Sequence, residues 1–167
     1  VTNIIDEINN DHEIGFTLIG ALPAEHYTQF YEDAGIELQS GKMIEDGDEK
    51  VALIGSRVAT QMFSKKVGVG NKITINHIDF KVIGILEDIG NAQDDNQIAI
   101  PLEAAREIFD EPERVDTIIA QVKVSSDIPS LQAKIERDLE RKRGDTNFQV
   151  LTATQILEQI NQVLGVM

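Results

Sequence analysis

Apolar positions along this chain recur with two periods, and the points where the period changes mark the expected elements. Residues 1–8 and 14–22 are rich in Ile, Leu and Thr and predict two strands, joined by the polar turn Asn9, Asn10, Asp11 and His12. After Pro23 the spacing becomes helical, with Tyr27, Phe30, Tyr31 and Ala34 on one side and a stop at Gly35. The polar stretch at 40–50 reads as a crossing. Short units then alternate: a strand at Val51–Ile54, a helix at 56–64 presenting Val58, Ala59, Met62 and Phe63, a glycine turn, and strands at 73–75 and 80–86. A polar loop at 87–97, a strand at 98–100 ending in Pro101 and a helix at 103–109 follow.

From Thr117 the longer style returns. Residues 117–124 (TIIAQVKV) predict a strand, and Ile128, Leu131, Ile135 and Leu139 predict a helix opened by Pro129 and closed by Gly144. Asp127 precedes that helix and Arg141, Lys142 and Arg143 crowd its end, both favourable against the helix dipole. A strand at 147–151 completes a βαβ unit. The whole predicts an α+β fold with one α/β lobe, a hairpin and helix plus βαβ, from residues 1–47 and 111–152, and an inserted β-rich lobe at 48–110. From Thr154 onward Ile156, Leu157, Ile160, Val163, Leu164 and Met167 lie on one helical face, so 153–167 predicts a last helix with Thr152 or Thr154 as its cap. Opening on Val1 and closing inside that pattern, the chain reads as an excised piece.

Composition narrows the function classes. Fifteen basic residues against 29 acidic ones give a net charge of −14, which repels a phosphate backbone and speaks against a nucleic-acid partner. The absence of cysteine rules out disulfides and thiolate chemistry. No apolar run reaches the roughly 18 residues needed to cross a bilayer.

Candidate chemistry is sparse. The stretch VGVGNK at 67–72 looks like part of a phosphate loop, but a phosphate loop must open a helix and here a strand follows. Asn71 splits Gly70 from Lys72, and Ile73 stands where a dinucleotide motif needs glycine, so the stretch is expected to be a turn. His12, His26 and His77 lack metal-helix spacing, and Ser56 sits in no G-x-S-x-G elbow. No catalytic residue, cofactor site or metal site is expected. The one candidate surface is the acidic loop at 87–97, where Asp88, Asn91, Asp94, Asp95 and Asn96 are expected on a mobile, partner-facing tip; their spacing lacks the ligand pattern of a calcium loop.

The run VALIGSRVATQMFSKKVGVGNKITINHIDFKVIGILEDIG at 51–90, followed by IAIPLEAAREIF at 98–109, resembles the MacB-like periplasmic core domain of ABC transporter permeases of the FtsX/MacB type. The carriers are the Val51–Ile54 strand, the pair Ala59 and Phe63, the Gly70–Lys72 turn, the Phe80–Leu86 strand and Pro101. Val67 and Asn71 depart from that family's turn. The resemblance implies a porter-like α/β lobe with the β-rich lobe inserted, on the extracytoplasmic side of a permease in the cell membrane, with 153–167 leading toward a membrane helix. It implies no catalysis in this domain, ATP hydrolysis in a separate cytoplasmic subunit or domain, and mechanical transmission to substrate export or release. The implied partners are that ATP-binding subunit, a second permease copy and an extracytoplasmic adaptor or substrate protein. The competing expectation is a soluble module with a small-ligand or protein-binding cleft between its lobes; an aromatic content of 5% with no Trp gives such a cleft little to build walls from.

Overall fold

A computed structural model describes residues 2–10, 13–92, 94–123 and 127–156, and divides the chain into two compact units, Val1–Ile119 and Ala120–Met167. In the first, β1 (Thr2–Asn10) and β2 (Glu13–Leu22) form an antiparallel hairpin registered from Thr2 opposite Ala21 to Asn10 opposite Glu13. The strands therefore run further than the polar residues 9–12 predict. Cross-strand hydrogen bonding satisfies the Asn backbone as well as it does an apolar one.

Pro23 leads through a single 3-10 turn into α1 (Tyr27–Ala34), which ends as expected at Gly35 with φ 67. Tyr27 and Tyr31 are buried; Ala34, expected on that face, is exposed. A further strand, β3 (Leu38–Gly41), runs into the start of the expected crossing. Then come β4 (Val51–Ile54), a short α2 (Ser56–Thr60), β5 (Lys72–Ile75), β6 (Ile78–Leu86), β7 (Gln97–Pro101) and α3 (Leu102–Phe109). The α2 helix stops four residues short of expectation, yet Phe63 beyond its end is buried as its spacing predicts.

Backbone pairing links the strands in the order β3-β6-β4-β7-β2-β1-β5, and β5 pairs again with β6. Six strands thus close into a ring, with β3 added to β6 beyond β5. This sheet joins strands from 1–47 to strands from 48–110 in one body. Inside the ring lie Ile8, Ile19, Ile54, Ile73, Ile75, Phe80, Ile98 and Ile100, capped by α2 and α3 through Val58, Ala59, Leu102 and Ala105. A second cluster of Tyr27, Tyr31, Ile44, Leu53, Ile83 and Leu86 packs α1 on the opposite side of the central strands. Alternation along β4 explains the division: Ala52 and Ile54 enter the first cluster while Leu53 enters the second.

β5 and β6 are joined by Asn76 and His77, both at positive φ, 44° and 65°. Such a two-residue turn favours Asn or Gly, and Asn76 also donates through Nδ2 to the Ile108 carbonyl at the end of α3. Histidine gains nothing visible from this conformation. His77→Gly is expected to stabilise the protein by about 0.5–1 kcal/mol, because the left-handed penalty it relieves exceeds the chain entropy it adds. A urea midpoint that falls would refute this.

In the second unit α4 (Ile128–Arg143) begins and ends where expected. Asp127 accepts from the Ser130 amide and hydroxyl at 3.4 and 2.6 Å, and Gly144 closes the helix at φ 75. Among the described residues the flanking strands do not form. Residues 117–123 are exposed throughout and belong to no ladder, and 147–151 are likewise irregular, so the described residues contain no βαβ unit. β-Branched composition records fitness for a half-buried pleated surface, and without a paired neighbour it does not make a strand. Residues 153–156 are helical, and Thr152 is the cap: its Oγ1 accepts from the Gln155 amide while Gln155 Oε1 accepts from the Thr152 amide, a reciprocal capping box. The rest of the expected 153–167 helix lies outside the described residues.

Candidate functional site

The loop between β6 and β7 holds all five candidate residues, and the structure separates them. Asp95 is buried, at 3% exposure, and is tied down on three sides. Its Oδ1 accepts from the Ile89 amide at 3.0 Å, its amide donates to the Asn91 carbonyl at 2.8 Å, and its carbonyl accepts from the Arg57 amide at 2.9 Å. Asn96 is half-buried, and its carbonyl takes the hydroxyl of the buried Thr17. This half of the loop is anchored to α2 and β2 by its backbone.

The other half faces outward. Asp88 is exposed and accepts from the Gly90 amide at 2.9 Å in a local turn; Asn91 is exposed and donates to Asp94 Oδ2 at 2.6 Å. Asp94 is half-buried, and after burial itself its charge is the next cause that raises the Tyr31 phenol above its ordinary pKa. Each carboxylate with a described contact is spent on an amide or a neighbouring side chain. Among the described residues no group of three or more His, Asp or Glu side chains is arranged to hold a metal ion. The sequence offers little to distinguish Asp94 from Asp95: both are acidic residues in a polar run, and only proximity to the buried strand Ile98–Ile100 separates them.

The glycine stretch is a turn whose amides are used internally. Gly68 donates to Asn71 Oδ1 at 2.7 Å, Gly70 at φ 92 donates to the Val82 carbonyl at 2.8 Å, and Asn71 donates to the Gly68 carbonyl at 3.1 Å. Lys72 already sits in β5, paired with Asp79 of β6 at 3.3 Å. His26 and His77 are exposed on separate elements, and His12 lies outside the described residues. In the second unit an open groove of about 420 Å³ runs beside α4, walled by Gln132, Glu136, Glu140 and Phe148. Its walls belong wholly to that unit. No helix of the described residues is long and apolar enough to cross a membrane.

The family model described as the MacB-like periplasmic core domain matches residues 3–138. The chain belongs to this family. An uncharacterized ABC transporter permease of Methanocaldococcus jannaschii is 34% identical over 146 residues, 87% of this chain and 36% of the relative. A macrolide export ATP-binding/permease protein, MacB, of Bdellovibrio bacteriovorus is 31% identical over 121 residues, 66% of this chain and 18% of the relative. The MacB-like domain thus spans about a third or less of these curated relatives.

The fold agrees. The periplasmic region of MacB from Actinobacillus actinomycetemcomitans superposes with a TM-score of 0.75 at 14% identity, covering 96% of this chain and 73% of that one. The extracellular domain of the noncanonic ABC-type transporter YknZ from Gram-positive bacteria superposes with a TM-score of 0.67 at 16% identity, covering 90% and 78%. The mixed α/β architecture is that of a MacB periplasmic domain.

Proposed function

We propose that this chain is the extracytoplasmic domain of an ABC transporter permease, and that it transmits ATP-driven conformational change to substrate export or release outside the membrane. The observation that carries this reading is the family match over residues 3–138, supported by relatives named as permeases. In this reading the parent protein lies in the cell membrane with this domain outside, and ATP is hydrolysed in a separate cytoplasmic subunit or domain. A second permease copy and an extracytoplasmic adaptor or substrate protein are the further partners. The domain performs no catalysis of its own: the glycine turn spends its amides internally, and the acidic loop spends its carboxylates on structure. The exposed half of that loop, Asp88 to Asn91, is the part of it we assign to partner contact.

The test uses the parent transporter in membranes, in an otherwise cysteine-free background. Lys66→Cys, in the exposed segment before the glycine turn, should react with a membrane-impermeant maleimide in intact cells. Deleting the domain should abolish export while ATP hydrolysis by the nucleotide-binding part continues. Labelling only after lysis, or export that survives deletion, would sink the reading.

A further inference from the structure

The ring of strands has one marginal junction. Among the described residues β1 meets β5 through Ile8 opposite Ile75 and Asn9 opposite Thr74 alone, whereas its register with β2 runs from Thr2 to Asn10. The β4–β7 junction is equally short, with Leu53 opposite Ala99 and Ile54 opposite Ile98. It continues, however, through backbone bonds from Gly55 to Gln97 and from Arg57 to Asp95, and it lies between both apolar clusters. Among the described residues the β1–β5 junction shows no such continuation in backbone pairing.

Side chains reinforce it instead. Glu13, at the start of β2, accepts from the Ser64 amide at 2.6 Å and from the Ser64 hydroxyl, across a separation of 51 residues. Ser64 lies in the segment between α2 and β5, so these bonds tie the hairpin to the chain that feeds the strand opposite. Two residues further along β2, Gly15 lies under Met62: a Cβ at Gly15 would stand 2.8 Å from Met62 Cγ and Sδ. The other end of the hairpin is held independently, by parallel pairing of Leu18–Leu22 with Gln97–Pro101. Beneath the junction lie Ile8, Ile73 and Ile75, all fully buried.

We propose that the Glu13–Ser64 contact is a catch that holds the distal part of the β1–β2 hairpin against β5, and that the β1–β5 junction is where the ring opens. A carboxylate accepting two donors from one residue is a strong and local fastening. With the Gly15–Met62 contact it joins the start of β2 to the segment that feeds β5, while the β2–β7 ladder keeps the base of the hairpin in place when the catch is released. Opening there unzips Ile8 and Asn9 from Ile75 and Thr74 and uncovers the edge of the inner cluster. This is local opening of the kind that leaves the rest of a fold intact. The inference concerns the fold of the first unit and does not rest on the transport role.

Hydrogen exchange of this 167-residue chain tests it. Glu13→Gln should accelerate exchange of amides at 8–10 and 73–76 by about tenfold or more, while those at 18–22 and 97–101 keep their rates. Ser64→Ala, which removes the hydroxyl and leaves the backbone amide, should give a smaller acceleration at the same sites, and it serves if Glu13→Gln does not fold. Because the native sequence contains no cysteine, Asn9→Cys with Thr74→Cys can close the junction covalently, and in the Glu13→Gln background this should restore slow exchange there. The proposal is overturned if exchange at the junction is unchanged in both single variants, or if every strand of the ring accelerates together.

Discussion

Gly55→Ala is expected to lower the unfolding free energy by about 3 kcal/mol or more, a large share of what a domain of this kind possesses. Gly55 has φ −69 and ψ 160, ordinary extended backbone, so the requirement is one of space and not of conformation. A Cβ there would stand 2.3 Å from the Asp95 carbonyl oxygen and 2.7 Å from its carbon. Neither is a side-chain end that can rotate aside. Relief requires moving the 94–97 loop, which accepts the Gly55 and Arg57 amides through the Gln97 and Asp95 carbonyls and holds Ile89 through the Asp95 carboxylate. Gly68→Ala is the control: its nearest neighbour would be Asn71 Oδ1 at 3.6 Å, and its change should be near zero. Urea unfolding compares the two, and a Gly55→Ala loss below about 1 kcal/mol would contradict this close approach of loop to helix start.

The same residue shows what was and was not legible in the sequence. VALIG reads plainly as a buried strand ending in a break, and Gly35, Pro101 and Gly144 mark their boundaries because each reflects a local backbone need. Phe80, Val82 and Leu86 likewise declare a strand by their spacing. What escapes the sequence is non-local. β3 lies in a polar stretch because its partner, β6, supplies the pairing, with Leu38 opposite Leu86 and Gly41 opposite Gly84. Gly41, at φ 88, lets the chain pass so close that a Cβ would stand 2.1 Å from the Ile83 carbonyl.

Asp95 misleads for a related reason. Its charge advertises the cost of burial, while the Ile89 amide that offsets that cost is fixed only by the folded loop. The expectation of one mobile acidic tip therefore merged an anchored half with an exposed half. Residues 117–123 err in the opposite direction. Their composition suits a strand, but strand formation depends on a neighbouring backbone that composition does not reveal.

Above pH 10 the protein is expected to lose stability steeply, and the cause is the buried tyrosine pair on α1. The Tyr27 hydroxyl donates to the Ile100 carbonyl at 2.6 Å and accepts from the Leu22 amide at 3.1 Å, which ties α1 to the ends of β2 and β7. Tyr31 stacks beside it, with ring centroids 6.2 Å apart. Burial pushes both phenols well above their ordinary value near 10, helped at Tyr27 by Tyr31 and at Tyr31 by Asp94. The folded chain therefore keeps two protons that the unfolded chain releases once pH passes 10. The unfolded state then binds fewer protons, so stability is intact below pH 10 and falls as pH rises toward the raised folded-state values. Each tyrosine contributes a slope approaching about 1.4 kcal/mol per pH unit, and the pair about twice that. Lysines titrate in the same window, so the decisive comparison is with phenylalanine variants. Tyr31→Phe should remove about half of the tyrosine slope with little change at pH 7. Tyr27→Phe should remove the other half but cost about 1–3 kcal/mol at every pH, because the Leu22 amide and the Ile100 carbonyl lose their partner. Urea unfolding followed by circular dichroism at pH 8, 10 and 11.5 measures all three proteins. Equal slopes in the wild type and both variants would show that these phenols ionise freely in the folded protein, which their burial between α1, β2 and β7 forbids.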